Sequence, residues 1–160
     1  MNKEAMSVKK HITLFDDILL TFLITYTFAA YSYEQRLSEG FMSLFNKCML
    51  VIFLMTWVIV AIKNGMNKKT GFAFFSALYW LVPQIIIILF YNGPEFFRHS
   101  VFMYTLSEFS VVLSSRPAAL TGGYMGVSEQ MAMILILMII FASFFGGYAY
   151  TNNKETNKKI

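Results

Sequence analysis

Glu95, Arg98 and His99 are the densest group of chemistry-bearing side chains away from the chain ends. On a helix Glu95 faces Arg98 at i+3 and His99 at i+4. Such a set suits general acid–base work or the binding of an anionic ligand. The simpler reading is a surface ion pair, which contributes little. Glu108 interrupts an apolar stretch and is either the water-facing edge of a helix or a coupling carboxylate of the kind transporters use. These four residues form one candidate functional cluster. Asp16 and Asp17 form a candidate ion or proton site, with a favourable interaction with a helix N-terminus as the plainer alternative.

Other chemistry is sparse. His11 and His99 belong to different segments, so no two-histidine metal site is expected. The lone cysteine, Cys48, excludes an internal disulfide and reads as a small buried hydrophobe. Met131 and Met133 are thioethers of the kind that hold Cu(I), but i and i+2 point apart on a helix, so they read as gap-fillers. The glycines at 122, 123 and 126 lack the following Lys and Ser or Thr of a phosphate loop. Ala142 and Gly146 have the small-xxx-small spacing of close helix packing. No nucleophile-elbow, zincin or paired-cysteine motif occurs. No cofactor is implied.

The elements that must position these residues are long and apolar. The chain is 57% hydrophobic and 14% charged over 160 residues. A water-exposed surface cannot be built from so few charges without large apolar patches. Runs at 14–33, 44–62, 71–91 and 131–150 approach or reach the ~20 residues that cross ~30 Å of hydrocarbon at ~1.5 Å per residue. Asp16 and Asp17 at the start of the first run, and a poor cleavage site at its end, make it an uncleaved span rather than a signal peptide. Pro83 predicts a kink in the third run, and Asn92, Gly93 and Pro94 end it. Lys63, Asn64 and Gly65 stop the second, with the glycine as cap. Ser128 caps the last, and the tail beyond Tyr150 reads as irregular.

The outer segment 92–130 divides in two. Phe102, Leu106, Phe109 and Leu113 recur at helical spacing and predict an interfacial helix over 96–113 with those four directed inward. Residues 114–130, with Arg116, Pro117 and the glycines, read as a loop. A fifth span over 101–120 is the rival topology; it places Glu108 in the membrane at a cost of about 2.5–3.5 kcal/mol.

Nine of the 13 basic residues lie before the first run, between the second and third, and after the last. The positive-inside rule therefore puts both termini in the cytoplasm. These lysines sit between apolar runs and not on a basic stripe with stacking aromatics, which argues against nucleic acid and for the lipid bilayer as their partner.

The expected fold is an all-α, polytopic membrane helical bundle of four transmembrane helices with an outer interfacial helix, forming a single membrane domain. In general composition the chain is like small bacterial cell-membrane proteins. The expected role is non-catalytic, through a membrane-protein partner, as an accessory subunit, assembly factor or immunity-type protein. A small-solute or ion transporter working as a homo-oligomer is the alternative, and an enzyme at the outer membrane face is third.

Overall fold

The computed structural model describes residues 14–31 and 44–157. The described chain is helical throughout apart from short turns, and it is a multi-pass membrane protein: four helices are long and apolar enough to cross a bilayer. These are α1 (Leu14–Tyr31), α2 (Leu44–Met66), α3 (Thr70–Asn92) and α7 (Glu129–Asn157). Between α3 and α7 lie α4 (Glu95–His99), α5 (Val101–Ser110), a π-helical turn over Val111–Ser115, and α6 (Arg116–Met125).

Cross-contacts fix the direction of each span. Asp17 meets Lys63 and Asn64, Thr25 meets Trp57, and Phe28 stacks on Phe53, so α1 and α2 are antiparallel. The turn at Asn67, Lys68 and Lys69 reverses the chain into α3. In α7, Gly147 sits against Ile62 and Met66, Thr151 donates to the Met66 carbonyl, and Glu155 pairs with Lys68. Residue numbers rise together, so α7 runs parallel to α2. The start of α1, the α2–α3 turn and the end of α7 therefore share one end of the bundle, here the lysine end. The end of α3 and the start of α7 share the opposite, far end. The segment over 101–125 begins and ends at that far end. That is the four-span arrangement; a fifth span over 101–120 would have reversed α7.

Glycine governs the α2–α7 seam. A Cβ on Gly65 would stand 2.0 Å from the Phe144 carbonyl oxygen, and one on Gly147 would stand 2.5 Å from that of Ile62. Helices in lipid have no hydrophobic drive to associate, so close backbone approach and van der Waals contact must hold them. Gly65 is thus a packing residue, not the expected helix cap: α2 continues to Met66, and the left-handed position in the turn is taken by Lys68 (φ 53°). The tail beyond Tyr150 is likewise helical to Asn157, held by the Thr151 and Glu155 contacts.

The segment over 101–125 departs furthest from expectation. Residues 116–125 are helix, not loop. The buried residues are Ser107, Ser110, Leu113, Ser114, Pro117, Ala118, Leu120, Thr121 and Gly122, while Phe102 is 72% exposed and Phe109 52%. Of the four residues expected to point inward, only Leu113 is buried. In lipid a phenyl ring loses nothing by facing outward, whereas small hydroxylated residues let backbones approach and bond their own hydroxyls. Ser107, Ser110, Ser114 and Thr121 each donate to a carbonyl three or four residues back.

Pro117 accounts for the π turn. Its ring crowds the carbonyl of Leu113, four residues earlier, and it has no N–H to offer that oxygen. The turn widens, Arg116 N–H bonding back five residues to Val111, and the Tyr79 hydroxyl of α3 donates to the Leu113 carbonyl at 3.1 Å. By contrast Pro83 is buried within α3, which continues as one helix to Asn92. Ser128 caps α7 as expected, accepting from the Met131 N–H.

Two stability experiments follow from these contacts, both read by thermal unfolding in detergent. Gly147→Ala should cost about 1–3 kcal/mol by overpacking backbone. Gly146→Ala, whose added Cβ meets nothing within 4 Å, should stay within about 0.5 kcal/mol of the parent. Tyr79→Phe removes the donor to the Leu113 carbonyl and should cost about 1–3 kcal/mol. Pro117→Ala restores a backbone N–H at that position, so in its background the Tyr79→Phe loss should shrink; equal losses in both backgrounds would show that the carbonyl does not depend on the tyrosine.

Candidate functional site

Among the described residues the most buried charged side chain is that of Asp17. It sits one turn into α1 on the face that also carries Thr21, Thr25 and Phe28, spaced at three or four residues, and all four are buried. Asp16, its neighbour, is exposed, because consecutive helical residues are about 100° apart. The pair therefore does not act as a unit. Asp17 accepts from Lys63 Nζ at 2.6 Å on one oxygen and from Asn64 Nδ2 at 2.9 Å on the other. The Asn64 amide also donates to the Val60 carbonyl, while its Oδ1 is buried with no protein partner. Lys63 keeps 52% of its side chain exposed, against 5% for Asp17. The ammonium thus reaches from the headgroup level to a carboxylate inside the bundle, which is how a buried charge is made tolerable in a membrane.

From Asp17 a file of hydrogen bonds climbs the α1–α2 contact. Thr21 Oγ1 donates to the Ile18 and Asp17 carbonyls, Thr25 Oγ1 to that of Thr21, and Trp57 Nε1 to Thr25 Oγ1 at 2.9 Å. There the polar file meets an aromatic core. Trp57 contacts Tyr79, Trp80 and Phe72 at ring-centroid separations of 5.6, 5.9 and 6.2 Å, and Phe53 joins Trp80 to Phe28. Trp80 is fully buried, and its indole N–H has no hydrogen-bond partner among the described residues. The middle of the bundle is filled by rings.

A second polar seam lies toward the far end, between α3 and the 101–125 segment. Gln84 Nε2 donates to Ser114 Oγ at 3.2 Å, beside the Tyr79 to Leu113 bond. Ser115 donates to Glu129 at the start of α7. The seam ties α3 and α7 to the π turn and satisfies groups that Pro117 and the serines bring into the interior.

The other sequence candidates are placed differently. Glu95 and His99 share the short helix α4 and are exposed; Glu108 is exposed on α5. The Arg98 side chain lies outside the described residues, as do His11 and Glu39. Among the described residues no hydrogen bond or ion pair joins Glu95, His99 and Glu108 to one another. Cys48 is exposed on α2, not buried, which in lipid costs a small apolar side chain nothing. Met131 is exposed whereas Met133 packs on the core. Among the described residues no three His, Cys, Asp or Glu side chains gather as a metal site would require. Ala142 and Gly146 face outward, and the close packing falls to Gly147 instead.

Sequence reading did not find Lys63, Asn64, Trp57, Tyr79, Gln84 or Ser114 as partners. Part of the signal was present: Asp17, Thr21 and Thr25 at i, i+4 and i+8 mark a polar face on an apolar span. The identity of what that face meets required the neighbouring helix. No protein-family model, curated protein or solved structure matches this chain.

Proposed function

We propose that this chain is a non-catalytic multi-pass protein of a bacterial cell membrane that acts through a membrane-protein partner, as an accessory subunit, assembly factor or immunity-type protein. The observation that carries this reading is the use made of the interior. Asp17 is held by Lys63 and Asn64, the threonine and serine hydroxyls bond helix carbonyls, and stacked rings occupy the centre of the bundle. A protein built this way presents its chemistry at its surface. Exposed Glu95, His99 and Glu108 supply polar contacts for a partner at the far end.

The lysine asymmetry supports cytoplasmic termini. The three lysine-bearing segments adjoin one end of the bundle, so they share a compartment whichever way the bundle inserts. The alternative is transport with Asp17 as the coupling carboxylate, and it is favoured by one fact: a carboxylate buried among transmembrane helices is most often functional.

Purification from the native membrane in mild detergent should recover a second membrane protein in stoichiometric amount. The triple change Glu95→Gln, His99→Ala and Glu108→Gln should reduce its recovery while leaving the level of this chain unchanged. A single-chain particle that drives solute uptake in liposomes, lost with Asp17→Asn, would overturn this reading for the transporter. Reporter fusions after Lys69 and Asn157 should report the cytoplasm and one after Gly126 the opposite compartment; the reverse pattern would invert the proposed sidedness.

A further inference from the structure

A groove of about 420 Å³ lies on the membrane-facing side of α2 at the lysine end, lined by Ile59, Ile62, Lys63, Met66 and Asn67. Ile59, Ile62, Lys63 and Met66 recur at i, i+3, i+4 and i+7 on one face of α2, and Asn67 follows in the turn, its side-chain amide donating one N–H to the Lys63 carbonyl at 2.8 Å and keeping the other. Helices α1 and α7 border that stretch of α2: Asp17 reaches Lys63, Gly147 packs against Ile62, and Thr151 bonds the Met66 carbonyl. Ile59, Ile62 and Met66 are exposed apolar side chains. Lys63 and Asn67 add an ammonium and an amide near the membrane boundary. One donor of the ammonium is used by Asp17 at 2.6 Å; an ammonium has three. Along the helix Ile59 and Ile62 come first, then Lys63, and Met66 and Asn67 lie one turn nearer the boundary, so the two isoleucines stand where an acyl chain runs and the ammonium and amide where a headgroup sits.

Charge selects among lipids. In the sequence, residues 1–17, 63–69 and 154–160 hold nine lysines against four carboxylates. The rest of the sequence holds four basic residues against five acidic ones. A lipid of net negative charge is drawn to the lysine end and has no such attraction to the far end.

We propose that this groove is a binding site for an anionic phospholipid, with its phosphate on Lys63 Nζ and the Asn67 amide, an acyl chain along Ile59 and Ile62, and Met66 against the glycerol region between them. The site is independent of the partner reading above, since it uses the opposite end of the bundle.

The test uses the full chain, purified in detergent and exchanged with equal amounts of phosphatidylglycerol and phosphatidylcholine, with bound lipid counted by native mass spectrometry. Phosphatidylglycerol should be retained in preference. Lys63→Gln should weaken that retention about fivefold, the effect of removing one lysine charge near a lipid surface. Because Lys63→Gln also strands Asp17, two further variants separate binding from folding. Met66→Trp fills the groove without touching the ion pair and should also reduce retention. Asp17→Asn leaves the ammonium free for phosphate and should hold or raise it. Equal retention of the two lipids, or phosphatidylglycerol binding unmoved by both Lys63→Gln and Met66→Trp, would overturn the proposal.

Discussion

The rest of the structure depends on the close approach of α2 and α7. Between helices already in hydrocarbon there is no apolar surface to remove from water, so association rests on contact distance. Gly65 and Gly147 let each backbone pass where a Cβ would collide with a carbonyl of the other. That contact sets α7 parallel to α2. Parallel packing in turn puts the carboxyl end of α7 beside the α2–α3 turn, returns the 101–125 segment to the end it started from, and gives the bundle four crossings. A side chain at either glycine would loosen the contact that decides the topology.

The second constraint is that polar groups inside the membrane must find partners within the protein. Spans α1, α2 and α3 solve this locally, with threonine and serine hydroxyls bonding carbonyls a turn back. Where the helix itself is defective, another helix supplies the bond. Pro117 deprives the Leu113 carbonyl of a donor, and Tyr79 of α3 provides one. The π turn, the proline and the tyrosine are therefore one device: the defect in one helix is the docking point for the next. Asp17 follows the same logic with a charge, using an ammonium that reaches in from the boundary and an amide from the adjacent turn of α2.

These constraints also separate the two ends of the molecule. The lysine end is tied together by polar bonds between helix termini: Asp17 to Lys63, Thr151 to Met66, Lys68 to Glu155. The far end is covered by a segment that packs through serines and leaves Glu95, His99 and Glu108 exposed. The two ends therefore differ in kind, one joined by charged and hydrogen-bonded contacts between helix termini and the other by small side chains beneath exposed carboxylates.

Read alone, the residues were enough for the all-helical class, the four long apolar helices and the Ser128 cap, because length, hydropathy and local capping chemistry are properties of a short stretch of chain. They also marked the Asp16 and Asp17 pair, since carboxylates at the start of an apolar span are visible without a fold, but not which of the two is buried. They were not enough for the 101–125 segment. There the helical spacing sends Phe102 and Phe109 inward with Leu106 and Leu113, and the structure turns both phenyl rings outward and serines inward, because lipid rewards small contact surfaces and is indifferent to exposed phenyl rings. Nor did spacing distinguish Gly146, which faces outward, from Gly147, which carries the seam. Which residue of a pair faces a neighbour, and which carbonyl a tyrosine reaches, depends on the rotation and direction of a second helix. That information is carried by contacts between distant parts of the chain, so only the tertiary structure decided it.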